Sequence, residues 1–443
     1  MRSIFYFFLS VIVLVFNSNA QITPANNKIS VDVSTPPQNA SFDYDSCFTI
    51  GKNLGMTQTG IFQAWADIEI APMNYSMTVF NTMNWYYPMH NMAIDLTLAP
   101  IATNVLEVPS DLTTTAFSST VMINRFKRLL DSIKAHIPNV TLSSLVIGSE
   151  HDIYFGSNAT KWSEYTTFYN AVSVYAKTLW PGLKVATELT FDGLTTQNTF
   201  AQTLNTNSDY IGVSYYPLNS NFTVKPVSSI PTDFATLVGL YSSKPLCFYQ
   251  YGYPSSTTCN SSNALQKQFI TQTFLSWDVY HTNIKMIDFT WLHDLSMAQV
   301  NYFSTYYGIN NPVFLEYIHT LGFRDWNGSG LDKPALNELR CQAKVRGYNN
   351  LTVANCAVTV LDKNKVNNSG VSVFPNPASS LLSIESGPHD FSKIFIYDVL
   401  GNKVDEMDFS GHINISHLSN GIYFIQLYDQ LQVRYSTKIV VSR

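Results

Sequence analysis

From Phe48 to Lys344 the chain repeats one pattern, a short apolar run followed by a stretch with helical periodicity. The clearest helix is VMINRFKRLLDSIKAHIP, in which Ile123, Phe126, Leu130, Ile133 and Ile137 recur at three- and four-residue steps before Pro138. LSSLVIGSEHD follows, a continuous apolar run of the kind buried on both faces of a parallel sheet. A second helix carries Phe168, Val172, Tyr175 and Leu179 on one stripe and stops at Pro181-Gly182. LKVATELTF, DYIGVSYYPL, PLCFYQYGYP and IKMIDFTWLHDLS supply four more strands, with FAQTLNT, FATLVGLYS and ALQKQFITQTFLSW as helices between them. Upstream, FTIGKNLGM, GIFQAWADIE and MAIDLTLAPI read as three further strands. Eight strand–helix units are the number that closes a parallel barrel. The rival, an open doubly wound sheet, finds no GxGxxG opening a helix to support it.

After Cys356 the character changes. Residues 363–370 are polar, and from Val371 onward β alternation and turn residues prevail. The expected fold class is therefore α/β: a (β/α)8 TIM barrel followed by a small all-β sandwich. The division is 1–20 signal peptide, 21–345 barrel, 346–370 linker and 371–443 β module. The first segment, MRSIFYFFLSVIVLVFNSNAQ, has one Arg before a short apolar run and a small-residue cleavage site near Ala20, which predicts export.

Composition narrows the function. The 443 residues are 45% hydrophobic and 14% aromatic, with 13% charged and a net charge of -5, so there is no basic footprint for nucleic acid. Rings and low charge suit a neutral sugar, and equally a large core. Of the five cysteines, Cys247 with Cys259 and Cys341 with Cys356 are the pairs nearest in sequence, leaving Cys47 free. Without a CxxC or a Cys/His cluster at zinc spacing, neither a metal nor another cofactor is expected, and a monomer without a transmembrane segment is.

Two resemblances sharpen this reading. VFPNPAS, IYDVLGNKV, INISHLSNGIYFIQL and the terminal KIVVSR together resemble the type IX secretion C-terminal sorting domain of Bacteroidetes. This implies the type IX machinery as a partner, and passage across the outer membrane to the cell surface or medium. A carbohydrate-binding sandwich would instead need exposed aromatics, of which the module has few. IGSEHD, DYIGVSYYPL, CFYQYGYPSS and IDFTWLHDLS resemble strands four, six, seven and eight of the retaining (β/α)-barrel glycosidases, nearest the endo-β-1,4-galactanases. YGI…YIHTLGFRDWNGSGLDKPALNEL is similar to the closing segment of that group.

The resemblance implies a polysaccharide or oligosaccharide partner and a set of roles. Glu150 takes the acid/base position. Tyr215 or Tyr216 falls in the strand-six aromatic region, and Trp291 lies beneath the sugar. Tyr253 and Asp294 stand at strand ends beside them. Two positions depart from the group: Ser149 replaces an Asn that contacts the sugar 2-hydroxyl, and Gln250 replaces the nucleophilic Glu. An amide cannot supply the charge that double displacement needs. Glu188, Asp192 and Asp294 are candidate substitute carboxylates. Trp65 and Asp67 are weaker candidates for the cleft, and His151 and Asp152 read as structural or rim groups. Three functions stay open: a hydrolase with a relocated carboxylate, a pseudo-glycosidase that binds sugar, and an adhesive surface protein.

Overall fold

The computed structural model describes residues 27–34, 42–348, 356, 371–386, 391–398, 402–429 and 432–443. They form two compact units divided near residue 360. The predicted signal peptide lies outside the described residues, as does most of the predicted linker.

Eight parallel strands build the larger unit: β1 Lys28–Val31, β2 Gln58–Ala64, β3 Ala93–Ala102, β4 Leu142–Ser149, β5 Lys184–Thr190, β6 Tyr210–Tyr215, β7 Leu246–Tyr251 and β8 Ile284–Phe289. They pair consecutively from β2 to β8, and β8 then pairs with β1. At the seam, the Thr59 hydroxyl of β2 donates to the Val31 carbonyl of β1 at 3.4 Å. The connections carry α1 Tyr44–Asn53, α2 Thr78–Met89, α3 Thr120–His136, α4 Ala159–Leu179, α5 Asn198–Leu204, α6 Ile230–Leu240 and α7 Asn263–Tyr280. After β8 come α8 Met297–Tyr307, α9 Pro312–His319 and α10 Pro334–Val345.

One expected strand is a helix. FTIGKNLGM lies in and just after α1, because Cys47, Phe48 and Gly51 share one buried face and Asp43 caps the start, accepting from the Ser46 N–H at 2.9 Å. The first strand is instead the four-residue KISV, too short to show an alternation.

Strand alternation sorts the side chains. At the C-terminal ends, Glu188, Ser214, Gln250 and Asp288 face the barrel interior. Their neighbours Leu189, Tyr215, Tyr251 and Phe289 are buried in the main core. Tyr215 stacks on Tyr251 at 5.2 Å, and Tyr251 on Phe269 of α7 at 4.9 Å. These rings hold the strands against the helices.

The cysteines depart from expectation in one pair. Cys341 and Cys356 form a disulfide, whereas Cys247 and Cys259 are free and buried, as is Cys47. Cys247 sits near the start of β7 and Cys259 beyond its end, so the strand itself holds them apart. The first residues of the expected linker pack on the barrel unit: Arg346 pairs with Asp278 of α7 at 2.5 Å, and Tyr348 stacks on Trp277.

The smaller unit has two antiparallel sheets. One holds β9 Ser372–Phe374, β10 Leu381–Glu385 and β13 His412–Asn414. The other holds β11 Lys393–Tyr397, β12 Lys403–Asp408, β14 Gly421–Asp429 and β15 Gln432–Val441. Leu382, Ile384, Ile394, Ile396, Ile425 and Ile439 meet in a core of its own.

Candidate functional site

A cleft of about 870 Å³ opens at the C-terminal ends of the barrel strands. The end of β4 shapes its floor. Gly148 has φ +81, and a Cβ there would lie 2.3 Å from the Tyr165 hydroxyl, so only glycine fits. Two residues on, Glu150 takes φ 49, in the left-handed region. Its N–H donates to the Glu188 carbonyl at 3.0 Å, extending the β4–β5 pairing by one bond. Its carboxylate accepts from the Ser214 hydroxyl and, at 2.7 Å, from the Thr103 hydroxyl.

A second carboxyl lies beside it. Glu188 projects inward from β5, 1% exposed. A chain of hydrogen bonds crosses the floor to reach it. The Tyr216 hydroxyl donates to Gln250 Oε1 at 3.0 Å, Gln250 Nε2 to Ser149 Oγ at 3.1 Å, and Ser149 Oγ to Glu188 Oε2 at 2.9 Å. Glu188 Oε1 has no partner. Burial, and after it the neighbouring Glu150 carboxylate, push the Glu188 carboxyl up to about 8 against the lowering by Ser149 and Gln250. At neutral pH it is therefore protonated. Two further acids close the floor. Burial pushes Asp32 up to about 6, opposed by a hydrogen bond from Trp291. Burial, then Asp32, hold Asp288 well above the usual carboxylate range.

Aromatic rings form the walls. Trp291 stacks on Phe303 at 6.1 Å and Phe303 on Tyr307 at 5.8 Å, a ladder that runs from the end of β8 onto α8. Tyr302 stands at the rim, 60% exposed, and the Tyr306 hydroxyl donates to Glu107. Phe62, Tyr86 and Tyr87 line the cleft from β2 and α2.

The structure brings Glu150, Gln250, Ser149 and Trp291 together in this cleft, with Tyr216 behind Gln250. It does not bring the other expected residues there. Tyr215 turns outward and donates to Asp233 at 2.6 Å. Tyr253 is buried against Phe269 and donates to the Lys225 carbonyl. Asp294 is paired with Lys333 at 2.6 Å, which removes it as a substitute carboxylate. Asp192 is exposed in the first turn of a short helix, outside the cleft. Trp65 is core, donating to Glu69 and packing edge-on to Phe126, whereas Asp67 does line the cleft. His151 is buried on Tyr165, and Asp152 accepts from Thr190. Asp32, Glu107 and Asp288 escaped notice in the sequence. Asp288 had a signal, a carboxyl inside a largely apolar strand. Asp32 and Glu107 lie just outside the apolar runs, where only the folded backbone shows their direction.

No group of three or more His, Cys, Asp or Glu among the described residues could hold a metal ion. None of their helices is long and apolar enough to cross a membrane.

Comparison with known proteins agrees with this geometry in two parts. Residues 372–442 match the family described as secretion system C-terminal sorting domain. The smaller unit is such a domain, which directs the chain to export and to the cell surface or medium. An endo-acting ulvan lyase of Formosa agariphila is 36% identical over 86 residues, 18% of this chain and 17% of that protein. The barrel is similar to solved structures at low identity. An exo-β-1,4-mannosidase from Opitutaceae bacterium strain TAV5 gives a TM-score of 0.56 at 14% identity, covering 74% of this chain and 62% of that one. A GH5_18 protein from Bifidobacterium longum subsp. infantis gives 0.53 at 14%, covering 72% and 79%. The chain thus has a (β/α)8 barrel, a fold it shares with these solved structures, and a type IX secretion sorting domain.

Proposed function

We propose that the chain is an exported saccharide-binding protein built on a glycosidase barrel, and that it does not hydrolyse by double displacement. One contact carries the reading. The two positions that depart from the glycosidase pattern, Ser149 and Gln250, hydrogen-bond to each other at 3.1 Å. They sit in a network that uses both ends of the amide, with Tyr216 as donor on one side and Glu188 as final acceptor on the other. No carboxylate occupies the β7 end, so nothing there can attack an anomeric carbon. The aromatic walls supply the faces on which sugar rings pack, and the floor offers acceptors for sugar hydroxyls.

A second reading rests on a different observation. Glu150 and the protonated Glu188 lie side by side, which offers a carboxylate and an acid for assisted attack by water. The two readings separate in one experiment on the full chain. Soluble β-1,4-linked galactan, mannan and glucan oligosaccharides are screened for binding by calorimetry and for new reducing ends. Binding without reducing-end release is expected, and the Ser149→Asn/Gln250→Glu double variant should release reducing ends at least about tenfold above wild type. Wild-type hydrolysis that survives Gln250→Ala and is lost in Glu188→Gln would establish the second reading instead. Absence of binding to any saccharide would refute both.

A further inference from the structure

We propose that the cleft selects an uncharged saccharide chain and rejects anionic ones, an inference that rests on the saccharide reading above. Six of its lining residues carry carboxyl groups: Asp32, Asp67, Glu107, Glu150, Glu188 and Asp288. Among the described lining residues there is no Lys, Arg or His. Three cations of the barrel unit are paired with other acids. Lys333 is bound to Asp294, Arg324 to Asp332, and Arg125 to Glu69 and Asp111. Glu188 is protonated at neutral pH, so the charge that a sulfate or uronate would meet, after losing its water and with no counter-ion, belongs to the remaining carboxyl groups.

The floor points to hydroxyl groups specifically. Glu188 Oε1 lacks a partner, and the residue is 1% exposed. Buried acceptors of this kind are satisfied by a donor that arrives with the ligand. A sugar hydroxyl is such a donor and brings no charge. An ammonium group would suit Glu188 less well, because burial keeps that acid in the neutral form. A neutral carboxyl both donates and accepts, the same pairing a hydroxyl offers. The stacked Trp291, Phe303 and Tyr307 and the exposed Tyr302 complete a wall that asks for apolar sugar faces rather than charge.

The test uses matched derivatives of one backbone: hydroxyethyl, carboxymethyl and aminoethyl forms, prepared on glucan, galactan and mannan. Affinity electrophoresis of the full chain at pH 7 and low ionic strength reads retardation by each. The hydroxyethyl form is expected to bind at least about tenfold more tightly than the carboxymethyl form of equal substitution. Added salt should narrow that gap, since screening weakens the repulsion. Asp67 is exposed at the rim, so Asp67→Lys leaves the fold intact; it should narrow the gap by about threefold or more. Equal or tighter binding of the carboxymethyl or aminoethyl form overturns the proposal, as does a gap unmoved by Asp67→Lys. If no form of any backbone binds, the saccharide reading itself fails, a result distinct from binding with the wrong charge preference.

Discussion

Gln250 and Glu188 show how much chemistry one side chain can redirect. With an amide at the β7 end, the buried acid at the end of its hydrogen-bond chain is Glu188, whose carboxyl is held up to about 8. That shift has a consequence for stability. A carboxyl whose folded value lies above its unfolded value binds a proton on folding, so stability is greatest below about 4.5 and falls as pH rises towards 8. His151 and His293 work the other way, since burial lowers them to about 3 and about 4, and they cost stability as pH falls below 6.5. Asp32 and Asp95, each raised to about 6, overlap that histidine range. Between pH 6.5 and 8 the histidines are neutral in both states, and the raised carboxyls of Glu188 and Asp288 set the slope. The melting temperature should therefore fall across that window in wild type, and Glu188→Gln should flatten the fall. A slope unchanged by the substitution would show that Glu188 is already ionised at pH 7.

At the scale of elements, the end of β4 is the part on which the site depends. Gly148 allows the approach of Tyr165 and His151, and the turn that follows carries Glu150 over the mouth. Gly148→Ala would force a Cβ to within 2.3 Å of the Tyr165 hydroxyl from a left-handed φ. The expected cost is about 2–3 kcal/mol, read as a lower denaturation midpoint with an unchanged slope, together with weaker ligand binding. A neutral outcome would mean that Tyr165 moves aside freely. The same scale explains two misreadings. FTIGKNLGM contains enough β-branched and aromatic residues to suggest a strand, yet the spacing of Cys47, Phe48, Gly51 and Leu54 is helical and Asp43 caps it. A strand-end position suggests the mouth for Tyr215, but the one-residue alternation sends Ser214 inward and Tyr215 to Asp233.

For the whole molecule, the sorting domain and the candidate site belong to separate units. The sorting domain has its own core of Leu382, Ile384, Ile394 and their neighbours, and the barrel has its own. Removing residues 371–443 should leave the protein inside the producing cell while the barrel's melting temperature stays within about 2 °C of its value in the full chain. Loss of barrel stability on truncation would contradict two independent units. Sequence alone determined the strand–helix repeat, the sorting motifs, Glu150 at a strand end and the missing carboxylate at 250, because apolar periodicity and local motifs are written in consecutive residues. Tertiary structure decided which of the candidate side chains meet. Ser149 and Gln250 are 101 residues apart, and Asp32 follows the first strand while Asp288 lies on the last, so only ring closure puts each pair on one floor. It also decided that Asp294 is spent on Lys333 and that Glu188 is protonated, since pairing and burial are properties of neighbours that the linear order does not contain.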